Sequence, residues 1–464
     1  MWAAGQLLLT SARLSHRVLV SCMQDTMPCA QRFLHASVAQ CTKPPSLTLH
    51  GTTYATDDVT NIPSSIMSRI FPNPKLPYAD HHPLALLRQE IERILGPKFT
   101  PIRAPSPIVT TKLNFDDLGF PADHPGRSPS DTYYVNRNTC LRTHTSAHEV
   151  ETFRDGHLRW LLTADVFRRD EIDSSHYPVF HQMEGASVWD LSAFQPGGEV
   201  EKECEAMEAT LQGAGMEIVD DVDVAEADGW QAHHLAQHPR ASQLALRHLK
   251  ASLNTLVLGL FRARWEQESA SEEPLRVRWI PATFPFTAPS FEVEVWFRGK
   301  WLEILGTGIV KQRTLDESGI PEKLGWAFGL GLERIAMVLF SIPDIRLFWS
   351  QDERFLSQFK VTDNSLVTFK PYSKYPPCYK DVSFWMSNDF HENDLCETVR
   401  DLAGDLVEDV ACIDDFVHPK TKRQSRCYRI NYRSMDRSLE NDEVNSVHAR
   451  VLEALKSSCH IEIR

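Results

Sequence analysis

The sequence has no Cys-x-x-Cys pair, no stretch of 18 uncharged apolar residues, and too few cations to balance its acids. Each absence removes a class of protein. Ten cysteines, three of them before residue 42, are neither the dense set of a disulfide scaffold nor the paired spacing of a zinc ribbon. They read as free or buried thiols in a reducing compartment. The longest apolar run, Leu253–Phe261, falls well short of the ~20 residues that span a bilayer, so no membrane partner is expected. With 49 Lys+Arg against 62 Asp+Glu, a net charge of −13, the chain is not a general nucleic-acid coat. A local basic site stays open. No Gly-Lys-Ser/Thr, HExxH order, internal repeat or low-complexity tract is present.

What is there can build cores: 42% of the 464 residues are apolar and 24% charged. Two or three domains are expected, because one core rarely grows past ~250–300 residues. Residues 1–41 carry Arg13, Arg17 and Arg32, several serines and a single acid, Asp25, the make-up of an organelle transit peptide. Arg13, His16 and Arg17 interrupt the apolar core that a secretory signal needs, so a mitochondrial presequence, and the matrix as destination, are expected. Residues 42–80, rich in Pro, Thr and Ser, read as an extended arm. His82-Pro83 then opens a helix, Leu84–Leu95, with Leu84, Leu87, Ile91 and Leu95 at helical spacing. Residues 100–135 are Pro-rich and read as loop, and strand-like runs between Leu161 and Trp189 flank a turn at Asp173–Pro178. Residues 199–228 hold eleven acids and one lysine; Glu199–Gln212 reads as helix and the remainder as exposed. A long helix, Ala241–Trp265, has Leu244, Leu249, Leu253, Leu256 and Leu260 on its apolar side.

Strands return at Leu275–Phe286 and Phe291–Arg298. The second alternates: Phe291, Val293, Val295 and Phe297 on one face, Glu292, Glu294 and Trp296 on the other. Gly299-Lys300 is expected to turn this strand onto Trp301–Gly306, pairing Trp296 with Glu303. Glu294 and Glu303 then share a face, with Leu302 and Ile304 on the apolar one. Acids on inner strands are costly unless their face lines a polar cleft or meets solvent.

Two segments carry chemistry. Val166-Phe167-Arg168-Arg169-Asp170 continues through Ser174-Ser175-His176 to Phe180-His181-Gln182-Met183-Glu184-Gly185. Read as strand, loop and strand, it points Arg168 and Asp170 to one face, and Gln182 and Glu184 likewise share one. An arginine fork suits phosphate oxygens, while acids and amides suit an ammonium group or a purine; a solvated ribbon has the same spacing. The other segment, Gly325-Trp326-Ala327-Phe328-Gly329-Leu330-Gly331-Leu332-Glu333-Arg334, reads as a strand entering a helix with Arg334 in its first turn. It is not a dinucleotide fingerprint, because Arg334 stands where a small residue is needed. Taken alone, it also fits plain helix–strand packing.

In this order the segments resemble motifs 2 and 3 of class II aminoacyl-tRNA synthetases. Leu141-Arg142-Thr143-His144-Thr145-Ser146, Phe180-His181-Gln182-Met183-Glu184, Phe284-Pro285-Phe286 and Trp326-Ala327-Phe328-Gly329-Leu330-Gly331 are similar to segments of phenylalanyl-tRNA synthetases. The similarity covers roughly residues 80–464, and the transit-like start matches the single-chain mitochondrial form. The resemblance implies an α+β fold, an antiparallel sheet flanked by helices. It implies ATP-dependent attachment of phenylalanine to mitochondrial tRNA(Phe) through a phenylalanyl-adenylate, with ATP and Mg²⁺, in a monomer. Arg168 would bind the α-phosphate, Arg334 the γ-phosphate, Phe180 the adenine, and Glu303 ATP through Mg²⁺, with Asp170 in the same ATP site. Ser146, His176, Gln182 and Glu184 would position the ammonium and carboxylate groups. His144, Ala147, His148, Glu149, Ser175, Tyr177 and Met183 would complete the substrate-binding set. Phe284, Phe286, Ala327 and Phe328 would enclose the phenyl ring. The family pattern has an amide after the HTS segment; this chain has Glu149.

No zinc is expected. His144 and His148 stand at i, i+4 with His157 beyond, but His144 falls within the matched segment and no HExxH order exists. An apolar pocket rejects an added hydroxyl by only ~10²-fold, and no stretch is left over for an editing domain, so tyrosine activation without correction is expected. Two rivals remain open. A non-catalytic RNA-binding relative would have lost a motif arginine, whereas Arg168, Glu303 and Arg334 are all present. An enzyme for a polar amino acid is disfavoured by Phe284, Phe286 and Ala327.

The last ~95 residues read as strand Tyr379–Met386, helix Asp394–Leu406, strands Val410–Phe416 and Cys427–Tyr432, helix Glu443–Leu455 and strand His460–Ile463. The order βαββαβ is that of a ferredoxin-like domain. Lys420, Lys422, Arg423, Arg426, Arg429, Arg433 and Arg437 lie among 18 residues with one acid, Asp436. Arg429 and Arg433 are expected on one strand face, near Tyr428 and Tyr432, where cations and aromatics suit tRNA phosphates and unstacked bases; a solvated edge is the alternative. The expected division is transit peptide 1–41, arm 42–80, catalytic domain 81–351, linker 352–370 and anticodon-binding domain 371–464.

Overall fold

The in–out alternation at residues 291–297 belongs to an inner strand of an eight-stranded sheet. The computed structural model describes residues 44–71, 75–103, 106–220, 237–268, 274–360, 367–371, 375–387, 390–435 and 437–464. The presequence reading therefore lies outside the described residues. In chain order the strands are β1 (Ser46–Leu49), β2 (Thr52–Ala55), β3 (Thr100–Arg103), β4 (Ile108–Thr110), β5 (Tyr134–Asn136), β6 (Thr139–Leu141), β7 (Arg159–Phe167), β8 (Val179–Asp190), β9 (Met216–Val219), β10 (Leu275–Ala282), β11 (Thr287–Phe297), β12 (Lys300–Val310) and β13 (Lys323–Gly331). The large sheet runs β3-β7-β8-β13-β12-β11-β10-β9. It is antiparallel within, and parallel only where β3 meets β7 and β9 meets β10.

Helices Pro83–Leu95, Pro239–Glu268 and Leu332–Phe340 share one core with one face of this sheet. Leu84, Leu87 and Ile91 of the first, and Leu244, Leu249, Leu253, Leu256 and Leu260 of the second, are buried there against Val293, Val295, Leu305 and Trp326. Each such side chain contributes roughly 1.5–3 kcal/mol when fully removed from water. The first helix starts where His82 accepts the Leu84 N–H through Nδ1 at 3.2 Å and Pro83 takes the first helical position.

Three local expectations shift. Residues 42–80 are not a plain extended arm: β1 and β2 form a hairpin, and Leu49, Ile62, Ile66 and Ile70 anchor in the core. The expected loop at 100–135 contains β3, which pairs with β7 at the sheet edge, and β4 and the start of β5, which both pair with β6. The exposed half of the acidic stretch contributes β9 to the sheet edge. The turn between β11 and β12 is Arg298-Gly299, both with positive φ (49° and 82°), one residue earlier than Gly299-Lys300. That backbone matches a type I′ hairpin. That register sets Glu294 directly opposite Glu303, so the shared acidic face survives the shift, and a bulge at Ile304 follows before Val293 pairs with Leu305.

The C-terminal strands β14 (Cys378–Trp385), β15 (Val407–Val417), β16 (Gln424–Tyr432) and β17 (Glu462–Ile463) form a second sheet, ordered β15-β16-β14-β17. Helices Glu392–Ala403 and Asn441–Ser458 complete the βαββαβ order and build a separate core with Val382, Phe384, Tyr428, Ile430 and Tyr432. This unit is pinned to the large sheet's periphery by polar contacts. Tyr133 donates to Glu397 at 2.6 Å, Arg169 pairs with Asp394 at 2.9 Å, and Arg346 donates to the carbonyls of Asp405, Val407 and Arg433 at 3.0–3.1 Å. The stretch expected as linker includes a short helix, Glu353–Leu356, and buries Phe355, Phe359 and Phe369 in the larger core.

Candidate active site

The sheet's open face holds a row in which Glu184 of β8, Gly329 of β13, Gly306 of β12 and Glu292 of β11 pair side by side. Two glycines in the middle leave a floor without side chains. Above it lies a cavity of about 610 Å³, within the range of small-molecule sites. One end is aromatic. Phe284 stacks with Phe286 at 6.1 Å, and Phe286 faces His144 at the same distance. Phe120 stacks on His144 at 5.4 Å. The Phe284 ring rests on Gly306 so closely that a Cβ there would stand 2.8 Å from its tip. Ala327, almost fully buried, supplies a small wall.

The other end is polar: Arg168, Asp170, Gln182, Glu184, Ser146 and Glu303 all border it. Arg168 is aimed by its Nε, which donates to the Thr143 carbonyl at 2.7 Å, and its guanidinium sits 5.4 Å over the Phe180 ring. Ser146 donates to Glu184 at 2.8 Å, and the Thr145 N–H donates to Gln182 at 3.3 Å. Arg334, at the start of helix Leu332–Phe340, pairs with Glu303 at 3.1 Å, both about half exposed. Burial, then neighbouring Arg168, holds the His144 imidazole down to about 3, so it is neutral; its Nε2 lies 3.0 Å from the Asn114 carbonyl. Burial, with Glu303 and Glu294 close by, raises the Glu292 carboxyl.

Several expected site residues stand elsewhere. Strand alternation lets only one of two consecutive residues face the cavity, so Phe328 borders it but turns its ring into the helix-side core, 6.2 Å from Trp326. Met183 lies in that same core, for the same reason. Ala147 packs with Val109 and Phe115. His148 bonds Arg142 and Glu151, and Glu149 is fully buried behind Ser146. Ser175 and His176 both turn to Asp173 on the loop before β8, and the resulting hydrogen bond raises the His176 imidazole. Tyr177 donates to Asp405 at 2.6 Å. Among the described residues, Glu171, Asp173 and His176 form the one group of three side chains able to share a metal; it excludes His144, His148 and His157.

Reasoning from the sequence missed Phe120, Asp131, Arg169 and Asn393, which also line the cavity. They arrive from loops and from the C-terminal unit, and no local pattern marks them. The basic stretch also differs from expectation. Tyr428 and Tyr432 are fully buried, because they alternate with Arg429 and Asn431 and face the helices. Arg433 follows the end of β16 and pairs with Glu408 at 2.8 Å, Arg429 pairs with Asp381 at 2.8 Å, Arg426 with Asp415 at 3.0 Å, and Arg423 with Glu462. Lys420 and Lys422 are exposed at the turn between β15 and β16. The open face presents Tyr379, under Arg429 at 4.4 Å, and Phe416 instead.

An antiparallel sheet whose polar strands meet an arginine-led helix over such a cavity defines a class of protein. Residues 70–207 and 228–359 match the family model described as tRNA synthetases class II core domain, and residues 373–464 match the ferredoxin-fold anticodon binding domain. The chain is 44% identical over 453 residues to the mitochondrial phenylalanine–tRNA ligase of Saccharomyces cerevisiae, covering 91% of this chain and 96% of that one. It is 45% identical over 412 residues to the chloroplastic/mitochondrial phenylalanine–tRNA ligase of Arabidopsis thaliana, covering 88% and 83%. The mitochondrial phenylalanine–tRNA ligase of Mus musculus is 43% identical over 430 residues, covering 90% and 89%. The chain belongs to the class II aminoacyl-tRNA synthetases and, within them, to the phenylalanine–tRNA ligase family.

Proposed function

We propose that this chain charges mitochondrial tRNA(Phe) with phenylalanine in the matrix, as a monomer, through a phenylalanyl-adenylate. The observation that carries the reading is one cavity joining an aromatic end, floored by Gly306 and walled by Ala327, to a polar end led by Arg168. The phenyl ring enters beside Phe284 and Phe286. Its ammonium group meets Glu184 and Gln182, which leaves the carboxylate toward Arg168. A carboxylate oxygen attacks the α-phosphorus, and the bond to the pyrophosphate oxygen breaks. Arg168 neutralises charge at the α-phosphate, and Arg334 receives the γ-phosphate once it exchanges Glu303 for it. A terminal ribose hydroxyl of the tRNA then takes the acyl group and AMP leaves. Positioning and charge neutralisation supply the acceleration, as in other phosphoryl transfers, so no general base is required. Glu303, with Glu292 near enough for its carboxyl to be raised, would offer a hard carboxylate oxygen to a Mg²⁺, which would neutralise part of the triphosphate's charge. Lys420, Lys422 and the open sheet face around Tyr379 and Phe416 would receive the tRNA.

Amino-acid-dependent pyrophosphate exchange across the twenty amino acids tests the reading: phenylalanine gives the highest rate and tyrosine a rate about 10²-fold lower. Because the aromatic end is walled chiefly by Phe284, Phe286 and Ala327, tyrosine is activated and the product is not corrected. Hydrolysis of preformed tyrosyl-tRNA by the purified chain would sink the no-editing part. Gly306→Ala gives a sharper check on the pocket. The new Cβ displaces the Phe284 ring, and KM for phenylalanine rises about tenfold while KM for ATP is unchanged.

A further inference from the structure

The amino-acid end of the cavity abuts one ionisable group that the proposed reaction does not use. Glu149 is fully buried, and neither of its carboxylate oxygens has a hydrogen-bond partner among the described residues. It stands three residues after Ser146, where a 3₁₀ turn (Thr145–His148) runs into the helix Glu149–Arg154. That spacing puts the two side chains on one face. Ser146 donates to one Glu184 oxygen, and the other Glu184 oxygen is buried and without a partner. Two carboxyls thus come near each other, from the helix and from β8, and three of their four oxygens are buried without a partner among the described residues. As two anions on buried side chains they would set like charges close together, which is strongly unfavourable.

The other charges around them are committed. Asp165 of β7 pairs with Arg142, His148 bonds Glu151, and His181 of β8 bonds Glu333. Lys311, ahead of the helix Gln312–Glu317 that packs on this one, donates to the Pro285 carbonyl at 2.7 Å, and Arg313, Asp316 and Glu317 of that helix are exposed. No cation among these groups faces Glu149.

We propose that Glu149 is a positioning residue held as the neutral acid, donating its proton to the free Glu184 oxygen. The pair then carries one negative charge, on Glu184, for the ammonium group of the amino acid. This deepens the amino-acid-site reading above and rests on it. Burial first, then Glu184, raises the Glu149 carboxyl well above the carboxylate range, and burial raises Glu184 as well. An acid with a raised pKa in the folded state binds more protons folded than unfolded. Stability is therefore lost as pH rises from the ordinary carboxylate pKa toward the raised one.

Glu149→Gln, made in the full chain, keeps a donor facing Glu184 and removes that loss. Its melting temperature should gain on the wild type by about 2–5 °C between about pH 5 and pH 8.5. Its KM for phenylalanine should stay within about twofold, whereas Glu149→Ala, with no donor, should raise that KM about tenfold and leave KM for ATP unchanged. A melting offset that does not vary with pH, a glutamine variant that fails to fold, or an alanine variant with unchanged KM overturns the proposal. The melting comparison needs no substrate. Absence of phenylalanine-dependent exchange in the wild type would therefore reject the amino-acid-site reading while the proton pair is still read separately.

Discussion

Arg168→Ala lowers phenylalanine-dependent pyrophosphate exchange about 10²–10³-fold in kcat, with KM for phenylalanine within about threefold. The split follows from where the side chain is held. One edge of the guanidinium is fixed by the Thr143 carbonyl at 2.7 Å and one face lies over Phe180, so the group is oriented before any phosphate arrives. Charge builds on the α-phosphate oxygens only as the carboxylate attacks, and an oriented cation is worth most at that point. Arg168→Lys returns the charge without the planar fork and recovers no more than about tenfold. Arg334 acts differently. Half exposed and paired with Glu303, it must leave a carboxylate to meet a phosphate, so Arg334→Ala falls more on KM for ATP. Steady-state kinetics with each substrate varied separate the two arginines, and melting curves show whether either variant has lost its fold. A fall in kcat below tenfold for Arg168→Ala would remove that residue from the centre of the reaction.

Much of the fold is written in local periodicity. The alternation of Phe291, Val293 and Val295 with Glu292 and Glu294 places β11, and the leucines of Pro239–Glu268 place the long helix, because periods of 2 and 3.6 report directly on burial. The C-terminal element order is legible for the same reason. What failed depends on distant partners. Arg423, Arg426, Arg429 and Arg433 read as a basic patch, yet Glu462, Asp415, Asp381 and Glu408, spread over 82 positions of sequence, come to meet them across strands. The aromatic error was of another kind. Tyr428 and Tyr432 share a face with Ile430, and strict alternation already assigned that face to the core. Phe328 beside Ala327 repeats the pattern, since consecutive strand residues face opposite sides whatever motif they share. Asn393 reaches the cavity only because the C-terminal unit packs there, and nothing in residues 390–395 signals it.

Arg142→Ala lowers unfolding stability by about 3–5 kcal/mol at neutral pH, the cost of leaving one partner of a buried ion pair alone. Arg142 is fully buried; its Nε donates to the Asp165 carbonyl at 2.6 Å and its Nη1 to the Ser106 carbonyl at 2.8 Å, while Nη2 pairs with the Asp165 carboxylate. It ties the segment carrying Thr143, His144 and Ser146 to β7, so those site residues depend on it without its touching the cavity. Removing it leaves Asp165 buried, with Lys75, 3.3 Å away, as its remaining ion-pair partner among the described residues. The pH dependence distinguishes this from simple loss of packing. In the wild type, burial raises the Asp165 carboxyl, but Arg142 and then Lys75 lower it further, so it ends below its ordinary value. Its contribution is present above the unfolded pKa and is lost as pH falls through the folded one. In the variant the shift reverses: the carboxyl rises, and stability drops as pH increases from about 4 toward 7. Denaturant unfolding at about pH 5 and pH 8 should therefore show the gap from wild type widening with pH. Adding Asp165→Asn to Arg142→Ala should narrow it at the higher pH, because the uncompensated charge is gone. A gap of equal size at both pH values would instead assign the loss to packing around the absent guanidinium.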